Sequence, residues 1–239
     1  MDHSSSVAER ARVLDGEDRA QTVRERLRDA IVDRRLAPGT KLSEAEIGDL
    51  FKVSRTVIRS ALQMLSFEGL VRSERNRGAF VSAPTPEDAT QIFAARRLIE
   101  PGIVAAAVER VNEHHLPLLV GHLNEQRRLL TQRGPAARRA EIQASGDFHL
   151  LLADVAGSAI LRKFMDELVG RSSLVIALYG RSGISSCGHD DHAQILEAIR
   201  LQDVGKACDL MVHHINHIEG DLDLRIRNEI ALKDALLLS

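Results

Sequence analysis

The stretch from Ser43 to Ser82 constrains the fold more than any other part of the chain. Ser43-Glu44-Ala45-Glu46 starts a helix as a capping box: the Ser43 side chain accepts from the third helical N–H while Glu46 reaches back. Ile47 and Leu50 then face inward, Phe51-Lys52-Val53 turns the chain, and Ser54 caps a second helix. That helix sets Val57, Ile58, Ala61, Leu62 and Leu65 on one face at i, i+3, i+4 spacing. Gly69 suits a left-handed helix stop. Leu70-Val71 and Phe80-Val81 read as two short strands around a basic tip, Glu74-Arg75-Asn76-Arg77-Gly78. The pattern predicts a winged helix-turn-helix.

The arginines of the second helix lie away from its apolar face, a layout that suits a helix laid in a DNA groove. Arg55 and Arg59, four apart, share one exposed face with Thr56. An arginine fork can pair with guanine O6 and N7, and a threonine can meet a thymine methyl or a phosphate. Ser54 and the helix N-terminus suit phosphate. Arg75, Asn76 and Arg77 on the wing are expected at the backbone or in a minor groove, with Gly78 allowing the tight turn. The competing reading is a solvated basic face on an ordinary helical hairpin. Capping box, turn and basic wing together favour double-stranded DNA.

Charge agrees. The net of −2 hides an asymmetry: residues 19–83 hold 13 Lys+Arg against 8 Asp+Glu, a balance of +5, which leaves −7 elsewhere. A basic front joined to an acidic remainder suggests a polyanion-binding module coupled to a second unit. Two cysteines, Cys187 and Cys208, make no disulfide framework and point to a reducing cytoplasm. No apolar run is long enough to span a membrane, and Met1 to Asp18 lacks the apolar core of a signal peptide.

The expected organisation is mainly α: a flexible tail at 1–18, the winged helix-turn-helix at 19–83 with a first helix near 19–36, and a linker at 84–90. An all-α bundle of about six helices follows at 91–232, then a tail at 233–239. Helices are expected near 85–110, 114–133, 136–156, 158–180, 190–202 and 204–232, with Pro86 at a first helical position. Nine of the ten histidines lie in this half. His149, His192 and His214 stand out, and His213 with His217 form a competing pair. Histidine is the commonest metal ligand, yet scattered helical histidines are more often surface or satisfied core residues.

Pro38 to Glu44, Val53 to Thr56, Arg59 to Leu62 and Glu68 to Val71 resemble the N-terminal domain of GntR-family bacterial transcription regulators. Val57 stands where that family usually has Pro, and Ala45 where it often has an arginine that contacts DNA, so Ala45 is not expected at the interface. Arg96 to Glu100, Phe148-His149, His192 to Ile199 and Met211 to His214 resemble the FCD ligand-binding domain of FadR-type members. The resemblance implies a homodimer on a palindromic operator, a small-molecule effector such as an organic acid, and repression released by that effector. It also implies a divalent metal (zinc, nickel, cobalt or manganese) held by His149, His192 and His214. The family's aspartate ligand falls at Ser145 here, leaving a position for water or an effector carboxylate. Asp147 is expected to face elsewhere. Arg96 is expected either to meet an anionic effector or to pair with Glu100, and Ser158 takes a pocket position where the family has Asn. A bundle that only dimerises, and a metal-dependent enzyme, are the alternatives; no HExxH pattern supports the second.

Overall fold

The computed structural model describes residues 3–33, 35–180 and 189–224. The front unit comprises α1 (His3–Val32), β1 (Lys41–Leu42), α2 (Glu44–Phe51), α3 (Arg55–Phe67), β2 (Val71–Glu74) and β3 (Gly78–Val81). Helix α1 is longer than expected. Residues assigned to a tail at 1–18 continue it back to His3, because one glycine and no proline interrupt positions 3–32. It also stops earlier, at Val32 rather than near 36.

Lys41-Leu42, readable in the sequence as a short strand, joins the wing as its third. β1 pairs antiparallel with β3, Lys41 opposite Phe80 and Leu42 opposite Ala79, giving the order β1-β3-β2. A lone hairpin is marginal in water, and the added strand supports it. Val23, Leu27, Ile31, Ile47, Ile58, Ala61, Leu62 and Leu65 pack with Leu70, Val71 and Val81 as one core. Leu50, expected inside, is 76% exposed. Phe51 packs against the core in its place, since a helix of two turns presents little more than Ile47 inward. Ser43 caps α2 by accepting from the Glu46 N–H. A fully reciprocal capping box forms instead at Thr85 and Asp88.

Behind the wing lie α4 (Pro86–Arg110), α5 (His115–Leu130), α6 (Pro135–Val155), α7 (Ala159–Tyr179), α8 (His189–Arg200) and α9 (Val204–Gly220). The linker expected over 84–90 is shorter, because α4 already begins at Pro86 and runs through Pro101. The last helix ends at Gly220 rather than near 232, and Leu222 then bridges to Gly180. The glycine-rich break at 181–188 and the expected tail at 233–239 lie outside the described residues. With no tryptophan in the chain, the bundle core is mostly aliphatic around Phe93 and Phe148.

The two units meet along α7. Leu174 is buried in the core of the winged unit. A Cβ on Gly170 would stand 2.6 Å from the Glu68 carbonyl oxygen, so the backbones touch there. Gly69, in the left-handed region at φ 72, lies against the Arg171 side chain. Arg139 of α6 pairs with Asp29 of α1 and with Asp33 just after it, and the Tyr179 hydroxyl donates to the Pro84 carbonyl at 2.8 Å.

Candidate functional site

On the winged unit, Ser54 caps α3 by accepting from the Val57 N–H at 3.4 Å. Arg55, Thr56 and Arg59 follow on its exposed side. Arg59 Nε donates to both Glu44 oxygens, at 3.0 and 2.9 Å, which tethers α3 to α2 and leaves the outer guanidinium in solvent. On the wing, Arg72 and Arg77 both pair with Glu74 and stack over the Phe80 ring, 5.4 and 5.5 Å from its centroid. Arg75 is exposed at the tip. Asn76 and Gly78 take positive φ, 62 and 101, which closes the turn. The winged unit thus presents a helix with two exposed arginines and a basic strand tip.

In the bundle, α6, α8 and α9 bring His149, His192 and His214 together, all buried. Their ligand nitrogens lie within 4.8 Å of one another. His214 Nε2 stands 2.9 Å from His192 Nε2 and 3.3 Å from His149 Nε2. Each Nδ1 faces an acceptor on another residue: His149 the Glu100 carboxylate at 2.6 Å, His192 the Gln126 oxygen at 3.0 Å, His214 the Asp191 carboxylate at 3.2 Å. A proton on each Nδ1 leaves three Nε2 lone pairs pointing at one place. Lone pairs that close repel, and a cation between them turns the repulsion into binding. Nitrogens held by one ion at about 2.0–2.1 Å lie roughly 3 Å apart, so the donor set fits a divalent metal.

Burial of the cluster favours the neutral, metal-ready form, against the carboxylates beside it. Burial, reinforced by Arg96 against the pull of Glu100, lowers His149 to about 4. Burial also lowers His192 and His214. Burial alone would raise the Glu100 carboxyl, but Arg96 and then His149 outweigh it and keep it ionised. Hydrogen bonding to His214 lowers Asp191 to about 2, against a smaller effect of burial. Asp191 also accepts from His217 Nδ1 at 2.9 Å and so links the buried cluster to an exposed histidine.

Arg96 does one of its two expected jobs. Its Nε donates to Glu100 and Nη1 to the Ser172 hydroxyl at 3.2 Å, while Nη2 is buried with no hydrogen-bond partner among the described residues. Ser145 is buried on α6, one turn before His149. Asp147 stands outside the cluster, raised by burial and close enough to feel Arg28 and His122. Ser158 caps α7, accepting from the Leu161 N–H at 3.3 Å. Sequence reasoning missed Gln126 and Asp191 as supports of the histidines. A signal for Gln126 was available: it interrupts the buried stripe Leu119, Leu123, Leu129 on α5.

The pattern of bacterial regulatory proteins of the gntR family matches residues 19–81, and the FCD domain pattern matches residues 91–217. An Uxu operon regulator of Haemophilus influenzae is 30% identical over 203 residues, 77% of this chain and 74% of that protein. The regulator LutR of Bacillus subtilis is 26% identical over 211 residues, 78% of this chain and 93% of its own. A solved GntR regulator from Rhodococcus sp. RHA1 superposes with a TM-score of 0.67 at 26% identity, over 85% of this chain and 96% of that one. The winged unit, the helical unit and these likenesses agree: the chain belongs to the GntR family, a DNA-binding transcription regulator with an FCD domain, and not an enzyme.

Proposed function

We propose that the protein is a homodimeric repressor that releases its operator when a small carboxylate metabolite enters the helical unit. The observation that carries this reading is the buried convergence of three Nε2 atoms beside Arg96, whose Nη2 has no hydrogen-bond partner among the described residues. His149, His192 and His214 would hold a divalent metal, which when bound supplies a Lewis-acidic centre for an anionic ligand. Ser145 contributes no carboxylate there, so an effector carboxylate can take the open position. A guanidinium fork suits the same group.

The chain's own contacts suggest how the signal travels. Arg96 holds Ser172 of α7, and the neighbouring residues Gly170, Arg171 and Leu174 bear on the winged unit. A ligand that draws Arg96 from Ser172 would bias α7, and with it the seat of α3. It shifts the balance only by its different affinity for the two arrangements. A two-fold dimer would place two α3 helices on a palindromic site, with Ser54, Arg55, Thr56 and Arg59 in the groove and Arg75, Asn76, Arg77 and Gly78 at the wing. A repressor role is supported by NanR of Escherichia coli, named a transcriptional repressor and 26% identical over 236 residues. A bacterial regulator of this kind works in the cytoplasm.

The test uses purified protein, its metal content, and binding to DNA from its own promoter region with and without a panel of organic acids. Metal bound at about one per chain and operator release by one acid support the reading. A protein that binds operator but ignores both metal and acids leaves the helical unit as a dimerisation module. Arg55→Ala and Arg59→Ala should each weaken specific binding by about 1–3 kcal/mol with the dimer intact. Unchanged footprints would remove α3 from the groove.

A further inference from the structure

We infer that Gln126 is the positioning residue that fixes the tautomer of His192 and so decides whether the third imidazole can act as a ligand; this rests on the metal reading above. His214 Nδ1 hydrogen-bonds an ionised carboxylate, which can only accept, so it must carry the proton; His149 Nδ1 lies 2.6 Å from the Glu100 carboxylate, outside hydrogen-bond geometry but close enough that a proton there is favoured. His192 faces an amide, and an amide can present either its oxygen or its NH2. With the oxygen forward, His192 keeps its proton on Nδ1 and offers a lone pair at Nε2. With the NH2 forward, the proton moves to Nε2 and the ligand is lost.

The backbone of α6 settles the choice. Gln126 Nε2 lies 2.8 Å from the Ala144 carbonyl oxygen, which can only accept. The amide nitrogen must therefore point there, and the oxygen is left for His192 Nδ1 at 3.0 Å. His122 Nε2 reaches the same carbonyl at 2.7 Å, so that oxygen receives from both residues and is a strongly engaged acceptor. The Phe148 ring, stacked on His192 at 4.1 Å between centroids, blocks a swing of the imidazole to another partner. Gln126 is 3% exposed on a face otherwise carrying Leu119, Leu123 and Leu129. A polar side chain in such a stripe costs stability unless both its ends are bonded, and here both are. The arrangement also grades the three ligands. Two imidazoles are backed by negative charge and one by a neutral dipole, which makes His192 the least basic donor.

The experiment compares Gln126→Glu with Gln126→Met in the full chain. Nitrogen-15 shifts of the histidine rings are read in metal-free protein, and zinc affinity by competition with a chromophoric chelator. In the unaltered protein His192 should be in the Nδ1–H form. Gln126→Glu, in the protonated form that keeps a donor on the Ala144 carbonyl, still accepts from Nδ1 through its other oxygen and should keep that tautomer and stay within about tenfold of the original affinity. Gln126→Met, close in volume but unable to accept, should mix the tautomers and weaken zinc by about 10–100-fold. A role in packing alone predicts the opposite order, with Met tolerated and Glu damaging. That order, or an Nε2–H proton on His192 in the unaltered protein, overturns the inference. Should the unaltered protein hold no zinc while the ring shifts behave as described, the metal reading fails and the tautomer lock stands.

Discussion

Gly170→Ala separates local preference from tertiary contact. Gly170 lies within α7 at ordinary helical φ, so replacing it by alanine should favour the helix by roughly 0.5–1 kcal/mol. The contact with the winged unit acts against this. The new Cβ would stand 2.6 Å from the Glu68 carbonyl oxygen and 3.2 Å from its Cβ. The carbonyl is backbone, held by the turn in which the Gly69 N–H bonds to Ser66 and the Leu70 N–H to Leu65, so it cannot swing aside as a side chain would. Overpacking of this kind costs about 1–3 kcal/mol. The clash wins, and the net effect is a destabilisation of about 1–2 kcal/mol, or a drop of roughly 2–8 °C in Tm for a chain of this size. Partial undocking of the winged unit is the alternative relief. Scanning calorimetry would then show the single transition splitting in two. A Tm that stays level or rises would refute the argument, because it would mean that the backbones of α7 and the Glu68-Gly69 turn do not touch in solution.

Three further outcomes are expected. Metal-free protein should be less stable near pH 5 than near pH 7.5. His149 sits at about 4 when folded and about 6.5 when unfolded, so the unfolded state binds more protons in that window and stability falls as the pH falls; at about pH 5 the destabilisation from this residue alone is about 2 kcal/mol, readable by urea denaturation in chelator. A flat profile would show the imidazole is not buried neutral. Ser145→Asp should tighten metal by about tenfold or more, ~1.4 kcal/mol, and weaken the response to acids in the same operator assay; a stronger response to acids would refute the open position. Arg75→Ala with Arg77→Ala should lower DNA affinity evenly across sequences and reduce the salt slope by about one for each phosphate no longer neutralised, whereas a changed base preference would place the wing on bases.

Much of the fold was legible because its determinants are local. Ser43 and Ser54 act as caps through hydrogen bonds three residues away, and Gly69 stops α3 through its own φ. The apolar spacing of Ile58, Ala61, Leu62 and Leu65 needed no partner to be seen. Leu50 misled because periodicity does not say which of two neighbouring apolar residues, Leu50 or Phe51, joins Ile47 on the inward side of a two-turn helix. The histidine cluster was half legible. The three imidazoles came from a resemblance, since 43 residues separate His149 from His192 and 22 separate His192 from His214, and no local spacing joins them.

By itself, then, the sequence determined the winged unit, the helical unit and the exposed arginines of α3 and the wing, because helix starts, stops and amphipathic faces are short-range properties of the chain. Tertiary structure alone decided which acceptors stand behind His149, His192 and His214, why Arg96 reaches Ser172 while Nη2 has no hydrogen-bond partner among the described residues, and where α7 bears on the Glu68-Gly69 turn. Those are meetings of distant segments. They depend on how helices stack once their apolar faces are buried, and a one-dimensional pattern carries no record of that.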